Sequence, residues 1–231
     1  MYAGKKVGVV LAAAGGGLRF GGSIPKQFLE IAGTPIWMHA LLPFSRNEWV
    51  DVLAVVVVRD VIDVVEDQVS LLRPEKVLRA VAGGALRQDS VRNGLEMLKE
   101  HRCDIALVHD AARPCVRMEM INSVLKAAVE FGAAIPAVKA QDTAKTVDEE
   151  MFSSSTVDRR NIWLVQTPQG FEAALLSKAF DRAAADGFVG TDESSLVERL
   201  GVRVKIVLGR TDNIKVTTPE DFRLAEILLR N

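Results

Sequence analysis

The chain has 231 residues, 48% apolar and 26% charged, with a formal net charge of -1 at pH 7. That length suits one α/β domain with a substantial core, and the near-neutral balance argues against broad electrostatic attraction to nucleic acid or to an anionic membrane. No apolar run reaches the length of a membrane span, and Cys103 and Cys115 follow neither a metal-ligand spacing nor a disulfide framework.

Residues 1–6 pass directly into an apolar run, Val7–Leu11, which reads as a buried strand and leaves no room for a signal peptide. The expectation is a cytoplasmic protein with two free thiols. The strand empties into Ala12, Ala13 and Ala14, then Gly15, Gly16 and Gly17, with Arg19 following and Lys26 seven residues beyond it. Chain without Cβ atoms turns sharply and lets backbone N–H groups approach an anion. Arg19 adds a planar fork of donors and Lys26 a compact mobile charge. Together they read as a polyphosphate site; the alternative is a flexible glycine loop with two solvated cations. A Walker loop requires Gly-Lys-Ser/Thr, whereas Gly17 is followed by Leu18 and Arg19, and G-x-G-x-x-G fits only with a mismatch. What fits is A-A-G-x-G-x-R followed by P-K, which resembles the signature of nucleotidyltransferases that activate sugars and polyols.

Further along, the pattern predicts a helix over Pro35–Arg46, a strand covered on both faces over Val52–Val58, a helix over Val61–Leu72 and a short strand over Lys76–Val81. Helices over Arg87–Glu100 and Met118–Phe131 flank a buried strand at Ile105–His109, and Ala133–Val138 is a further strand. This alternation predicts a mostly parallel sheet with helices on both faces, a Rossmann-like three-layer sandwich. Ligands in such sheets sit at the carboxyl ends of strands. The segments 15–19, 83–84 and 110–113 all follow strands and are expected to converge.

Between Gln141 and Arg160 the rhythm breaks. Thr143–Val147 and Ser153–Val157 have strand propensity around a turn at residues 148–150, which predicts a projecting β-hairpin arm at about 141–160. An isolated two-stranded arm is marginally stable and needs something to pack on. A strand at Ile162–Gln166, helices over Glu172–Ala185 and Glu193–Leu200, a strand at Val202–Leu208 and a helix from Pro219 complete one domain, 1–231.

The polar clusters are GGALRQDS from Gly83, HDAARP from His109, and loops around Thr143, Thr156, Gln166, Thr191 and Gly209. Asp110 at a strand end suggests metal neutralisation or substrate contact, against a plain Asp–Arg pair closing a turn. His109 is a packing histidine more readily than a base. Gly84 can lie against a base, with Ser90 offering a hydroxyl. Each cluster alone is also an ordinary loop.

In order and spacing, AAGGGLRF with PKQF, GGALRQDS, HDAARP, QDTAK, TVDRRNIW, QTPQGF, TDESS and GRTDNIKVTTPEDF resemble the 2-C-methyl-D-erythritol 4-phosphate cytidylyltransferases of the non-mevalonate isoprenoid pathway. The resemblance implies attack by an acceptor phosphate on the α-phosphorus of CTP, with release of pyrophosphate. It implies that Arg19 and Lys26 carry the developing charge, with Lys215 a third catalytic cation. Ala13, Ala14, Gly15, Gly16, Gly17, Gly84, Ser90, Asp110 and Ala111 would hold CTP. Asp110, Arg113, Thr143, Arg159, Thr167, Thr191 and Lys215 would hold the acceptor. Mg²⁺ would bridge the triphosphate, with Asp110 near it, and a homodimer joined through the arm would bring Arg159 to the partner's crevice. Many relatives have an acid where this chain has Ala85. Two other readings are a D-ribitol 5-phosphate cytidylyltransferase and a regulator that holds a polyphosphate without turnover.

Overall fold

The computed structural model describes residues 1–15, 26–72 and 75–230. The first strand, β1 (Val7–Ala12), is buried along nearly its whole length because both its faces are covered. Val7, Val9 and Leu11 point to one core cluster and Val10 to the other, which is the period of two expected of a strand. After β1 come a small antiparallel pair, β2 (Glu30–Ile31) and β3 (Thr34–Pro35), and then α1 (Ile36–Ser45). The alternation continues with β4 (Val52–Val57), α2 (Ile62–Ser70), β5 (Val77–Ala82), α3 (Arg87–Glu100), β6 (Ile105–Asp110), α4 (Met118–Phe131) and β7 (Ala133–Lys139). The arm strands β8 (Ala144–Val147) and β9 (Ser153–Val157) follow, then β10 (Trp163–Val165), β11 (Gln169–Glu172), α5 (Ala173–Ala185), α6 (Glu193–Glu198), β12 (Lys205–Leu208) and α7 (Pro219–Arg230).

The main sheet has eight strands. β5, β4, β1 and β6 lie side by side and parallel, Val10 standing opposite both Ala54 and Val108. β10 and β11 both run antiparallel along one edge of β7, while β12 lies parallel on its other edge. β11 also pairs antiparallel with β6, so it is the reversed strand between β6 and β7. Residues of α1, α2 and α4 cover one face, and residues of α3, α5 and α6 the other. This is the expected three-layer sandwich with a mostly parallel sheet. At Gly94, the Cβ of any other residue would stand 2.5 Å from Val10 Cγ1, so glycine lets α3 press directly on β1.

The sheet carries one strand that propensity did not announce. β11 holds only Gln169, Gly170, Phe171 and Glu172, too few and too mixed for an alternating pattern, and Phe171 is its one large apolar side chain, fully buried in the core. The expected strand at Val202–Leu208 is shorter, because Val202 and Val204 pack into the core beside α6 before the pairing with β7 begins. β8 and β9 form the expected hairpin, paired only with each other among the described residues. Its tip exposes Met151 by 77% and Phe152 by 67%, a state that a two-stranded ribbon cannot relieve by itself.

Candidate active site

The carboxyl ends of β1, β5 and β6 open into one crevice with two lobes. The first, about 360 Å³, is walled by Ala13, Ala14, Gly15, Lys26, Gly84, Ala85, Ser90, Asp110, Ala111 and Lys215. Its floor is set by backbone bonds. The N–H of Ala13 donates to Val56 (2.8 Å), and the buried amide of Gln27 donates to the carbonyls of both Ala13 and Gly15, each at 2.8 Å. Those carbonyls are thereby turned inward at the mouth of the glycine segment. A Cβ at Gly83 would lie 2.4 Å from the Ala14 methyl, so this turn exists only as glycine. The Ser90 hydroxyl accepts from the Gly84 N–H (3.1 Å) and donates to the Leu86 carbonyl (3.0 Å). Ser90 thus lines the lobe as expected and also holds the turn that shapes Gly84.

The second lobe, about 640 Å³, is lined by Arg113, Thr167 and Thr191 with residues of β10, α6 and β12. The lobes share Arg87, Asp110 and Lys215. Asp110 is the last residue of β6, one residue beyond the expected strand, and its two oxygens face opposite ways into the cluster. Oδ1 accepts from Arg87 (Nε at 3.1 Å, Nη2 at 3.0 Å) and Oδ2 from the Lys215 ammonium at 2.7 Å. Arg87 also grips Glu193 with both ends of its fork, at 2.7 and 3.0 Å. Burial acts to raise the Asp110 carboxyl, but Arg87, Lys215 and Arg113 outweigh it and hold the group well below the ordinary carboxylate range. Burial raises the Glu193 carboxyl despite its partner Arg87.

Behind this cluster stands a buried imidazole. His109 is fully buried between strands, and burial pulls its pKa down to about 4. Its Nε2 lies 3.1 Å from the Arg113 carbonyl and therefore carries the hydrogen, which leaves Nδ1 to accept from the Thr167 hydroxyl at 2.8 Å. That hydroxyl in turn accepts from the Asp110 N–H at 3.1 Å. The chain His109–Thr167–Asp110 fixes the strand end, so Thr167 acts on the site through the backbone. A second set of bonds positions Lys215. The Gln166 amide donates to the Arg210 carbonyl (2.8 Å), Asn213 donates to the Thr167 carbonyl (2.9 Å), Arg113 donates to the Asn213 carbonyl (2.8 Å), and the Val216 N–H donates to Ala112 (2.8 Å). Among the described residues the buried Arg113 Nε meets no hydrogen-bond partner.

The structure thus brings Ala13, Ala14, Gly15, Lys26, Gly84, Ser90, Asp110, Ala111 and Lys215 to one lobe, and Arg113, Thr167 and Thr191 to the other. Gly16, Gly17 and Arg19 lie outside the described residues. Thr143 and Arg159 sit at the base of the arm, both exposed and lining neither lobe of their own chain. Arg159 donates to the Gln141 carbonyl, and Asp158 pairs with Arg160 instead (2.6 Å). Sequence reasoning missed Gln27, Arg87 and Glu193 as site residues. The signal for Arg87 was present: a cation in the first turn of a helix opposes the helix dipole and calls for buried acids nearby.

A family model described as 2-C-methyl-D-erythritol 4-phosphate cytidylyltransferase matches residues 7–231. Among relatives carrying that name, the protein of Symbiobacterium thermophilum is 44% identical over 223 residues, covering 96% of this chain and 92% of its own. That of Syntrophus aciditrophicus is 42% identical over 226 residues, covering 97% and 96%. Similar solved structures include the 4-diphosphocytidyl-2C-methyl-D-erythritol synthase of Anaerococcus prevotii, with TM-score 0.85 and 30% identity over 98% of this chain and 99% of that one. The 2-C-methyl-D-erythritol 4-phosphate cytidylyltransferase of Thermus thermophilus has TM-score 0.79 and 33% identity, covering 98% and 100%.

Proposed function

Because the chain belongs to the 2-C-methyl-D-erythritol 4-phosphate cytidylyltransferase family, we propose a division of labour between its two lobes, CTP in the first and the polyol phosphate in the second. The enzyme transfers a cytidylyl group from CTP to 2-C-methyl-D-erythritol 4-phosphate, giving 4-diphosphocytidyl-2-C-methyl-D-erythritol and pyrophosphate. D-ribitol 5-phosphate is not favoured, since the matching family and the relatives named above share the methylerythritol acceptor. The observation that carries the reading is the shared cluster of Asp110, Arg87 and Lys215, through which two anionic substrates can meet.

In the reaction, an oxygen of the acceptor phosphate bonds to the α-phosphorus while the bond to the pyrophosphate oxygen breaks. Little covalent chemistry is asked of the protein, so positioning and charge stabilisation dominate. Lys26, on the wall of the nucleotide lobe, and Arg19 take the charge that builds on the α-phosphate. Lys215 divides its ammonium between Asp110 and the acceptor phosphate, with Arg113 and Thr191 on the acceptor side. The floor around Ala13, Ala14, Gly15 and Gly84 approaches the nucleotide without obstructing side chains. Ala85 brings no carboxylate toward the base, so selection of cytosine rests on backbone groups at Gly84.

Among the described residues no group of three or more metal-ligating side chains exists, and both oxygens of Asp110 are engaged by cations. Such a donor set fits Mg²⁺ that takes most of its ligands from the triphosphate and water. Asp110 would hold it through water, and the ion would neutralise triphosphate charge.

Arg159 and Thr143 would complete the acceptor lobe of a partner in a symmetric homodimer. The exposed apolar tip of the arm, and the exposed Trp163, Leu164 and Leu208 on the strands beside it, support this reading, since burial against a second copy would relieve them. A cytoplasmic location fits two freely diffusing phosphorylated substrates. Pyrophosphate release across the four NTPs with both acceptors tests the function. Release is expected only from CTP with 2-C-methyl-D-erythritol 4-phosphate; no release, or equal release with ribitol phosphate, overturns it.

A further inference from the structure

Glu193 has no role in the reading above, and Arg87 enters it only as part of the shared cluster, yet the two form the most buried ion pair of the crevice among the described residues. The Glu193 side chain is 2% exposed and Arg87 34%. Each is the first residue of its helix, α3 and α6. A guanidinium at the start of α3 faces the unfavourable end of the helix dipole, and Leu86, the residue capping that helix, supplies no side-chain oxygen to offset it. Two carboxylates compensate, Glu193 through both ends of the fork and Asp110 through Nε and Nη2. A planar fork engages both carboxylates in fixed directions, which a compact ammonium does not reproduce.

We propose that Arg87, anchored by Glu193, is a positioning residue of the transfer reaction: it holds the Asp110 carboxylate at the junction of the lobes and thereby sets where Lys215 meets the acceptor phosphate. The inference rests on the cytidylyl-transfer reading above and adds a named pair to it. The physical reason lies in what happens when the acceptor arrives. Lys215 gives up part of its 2.7 Å bond to Asp110 Oδ2, which by itself would leave a buried carboxylate short of a partner. Arg87 on Oδ1 keeps that carboxylate compensated and in place. Glu193 keeps Arg87 from following the attraction of the triphosphate, because Arg87 lines the nucleotide lobe as well. The pair therefore separates the two anions' claims on the cations between them.

The test uses the full-length enzyme with CTP and 2-C-methyl-D-erythritol 4-phosphate, measuring kcat, both KM values, the Kd of CTP in the absence of acceptor, and the melting temperature. Arg87→Lys keeps the charge and loses the fork; acceptor KM should rise about tenfold or more while the CTP Kd moves less than about threefold. Glu193→Gln releases the fork toward the triphosphate, so CTP should bind as tightly as before or more tightly while acceptor KM rises. Loss of folded protein cannot produce that opposed pair of changes. Arg87→Ala leaves a gap open to the crevice, and added guanidinium should restore part of its activity. Wild-type constants in Arg87→Lys and Glu193→Gln overturn the inference alone. So does a fall in kcat with both KM values intact that follows lowered melting temperature, which marks a purely structural pair. An inactive wild-type enzyme overturns the functional reading, and the inference with it.

Discussion

Replacing Asp110 with Asn keeps the shape of the side chain and removes the one carboxylate that, among the described residues, lines both lobes. The Asp110 side chain is 9% exposed, with Arg87 on one oxygen at 3.0 Å and Lys215 on the other at 2.7 Å. Removing one partner of a buried ion pair costs about 3–5 kcal/mol. Here the loss is smaller, because Arg87 retains Glu193 and Lys215, 39% exposed, can turn to water. A discounted figure of about 2 kcal/mol follows, which for a chain of this size lowers the melting temperature by roughly 4–8 °C. The pH dependence carries a sign. Asp110 is held below the ordinary carboxylate range, so its stabilisation is present in full above the unfolded value of about 3.9 and is lost as pH falls through the lower folded value. The gap between wild type and Asp110→Asn should therefore be steady from about pH 5 to 8 and close below about pH 4. Glu193, raised by burial, titrates in the opposite sense, but it is present in both proteins and largely cancels in the difference. Calorimetry or circular dichroism over this range reads the gap. Equal melting temperatures at pH 7, or a gap undiminished at pH 3, would refute the account of this cluster. Initial rates of pyrophosphate release should fall by about a hundredfold in kcat, as expected when a positioning group is lost.

Lys26→Ala should lower kcat by about 3–4 kcal/mol of barrier while CTP binding weakens far less, and Arg19→Ala should behave alike with a larger effect on CTP affinity; near-normal kcat in the first would remove Lys26 from its role. CTP should be preferred to UTP through backbone contacts near Gly84, and Ala85→Asp should widen the kcat/KM ratio between the two; equal use of both bases by the unaltered enzyme counts against the base pocket. Gly83→Ala drives a methyl to 2.4 Å from Ala14 Cβ, so CTP KM should rise and stability fall by about 1–3 kcal/mol; unchanged CTP kinetics would mean that this wall does not touch the nucleotide. Arg159→Ala and Lys26→Ala should each be nearly inactive alone, yet re-associated mixed dimers should regain activity in about half of their sites, since one crevice then pairs an intact Lys26 with the partner's Arg159. Mixed dimers that stay inactive would place the arm in its own subunit's service.

The elements that could be read from the chain are those whose own residues carry the signal. Val52 to Val57 form an unbroken β-branched and apolar run, and β4 lies there, fully buried. The spacing of Val91, Leu95 and Leu98 marks α3, whose bounds match the expectation at Arg87 and Glu100. β11 left no such mark, because its position depends on two neighbours, β6 and β7, that lie far away along the chain. The same holds for the site. Glycines after β1 and β5 and the acid at the end of β6 were legible as loops at strand ends. The commitment of the Ser90 hydroxyl to its own turn was not, nor was the bond from Thr167 to His109 that ties Pro168's loop to β6.

By itself, the sequence determined the alternation of strand and helix, the three-layer sandwich, the arm and the family, because each rests on local periodicity, on turn chemistry or on an ordered set of short motifs. Only the tertiary structure decided which charges face one another. Arg87 and Glu193 are 106 positions apart and Asp110 and Lys215 are 105 apart, and no local rule pairs them. Their contacts follow from the parallel order of β5, β4, β1 and β6, which stacks the carboxyl ends of distant strands over one crevice. Burial there makes an unpaired charge costly, and the two buried carboxylates, Asp110 and Glu193, are each met by cations from distant parts of the chain.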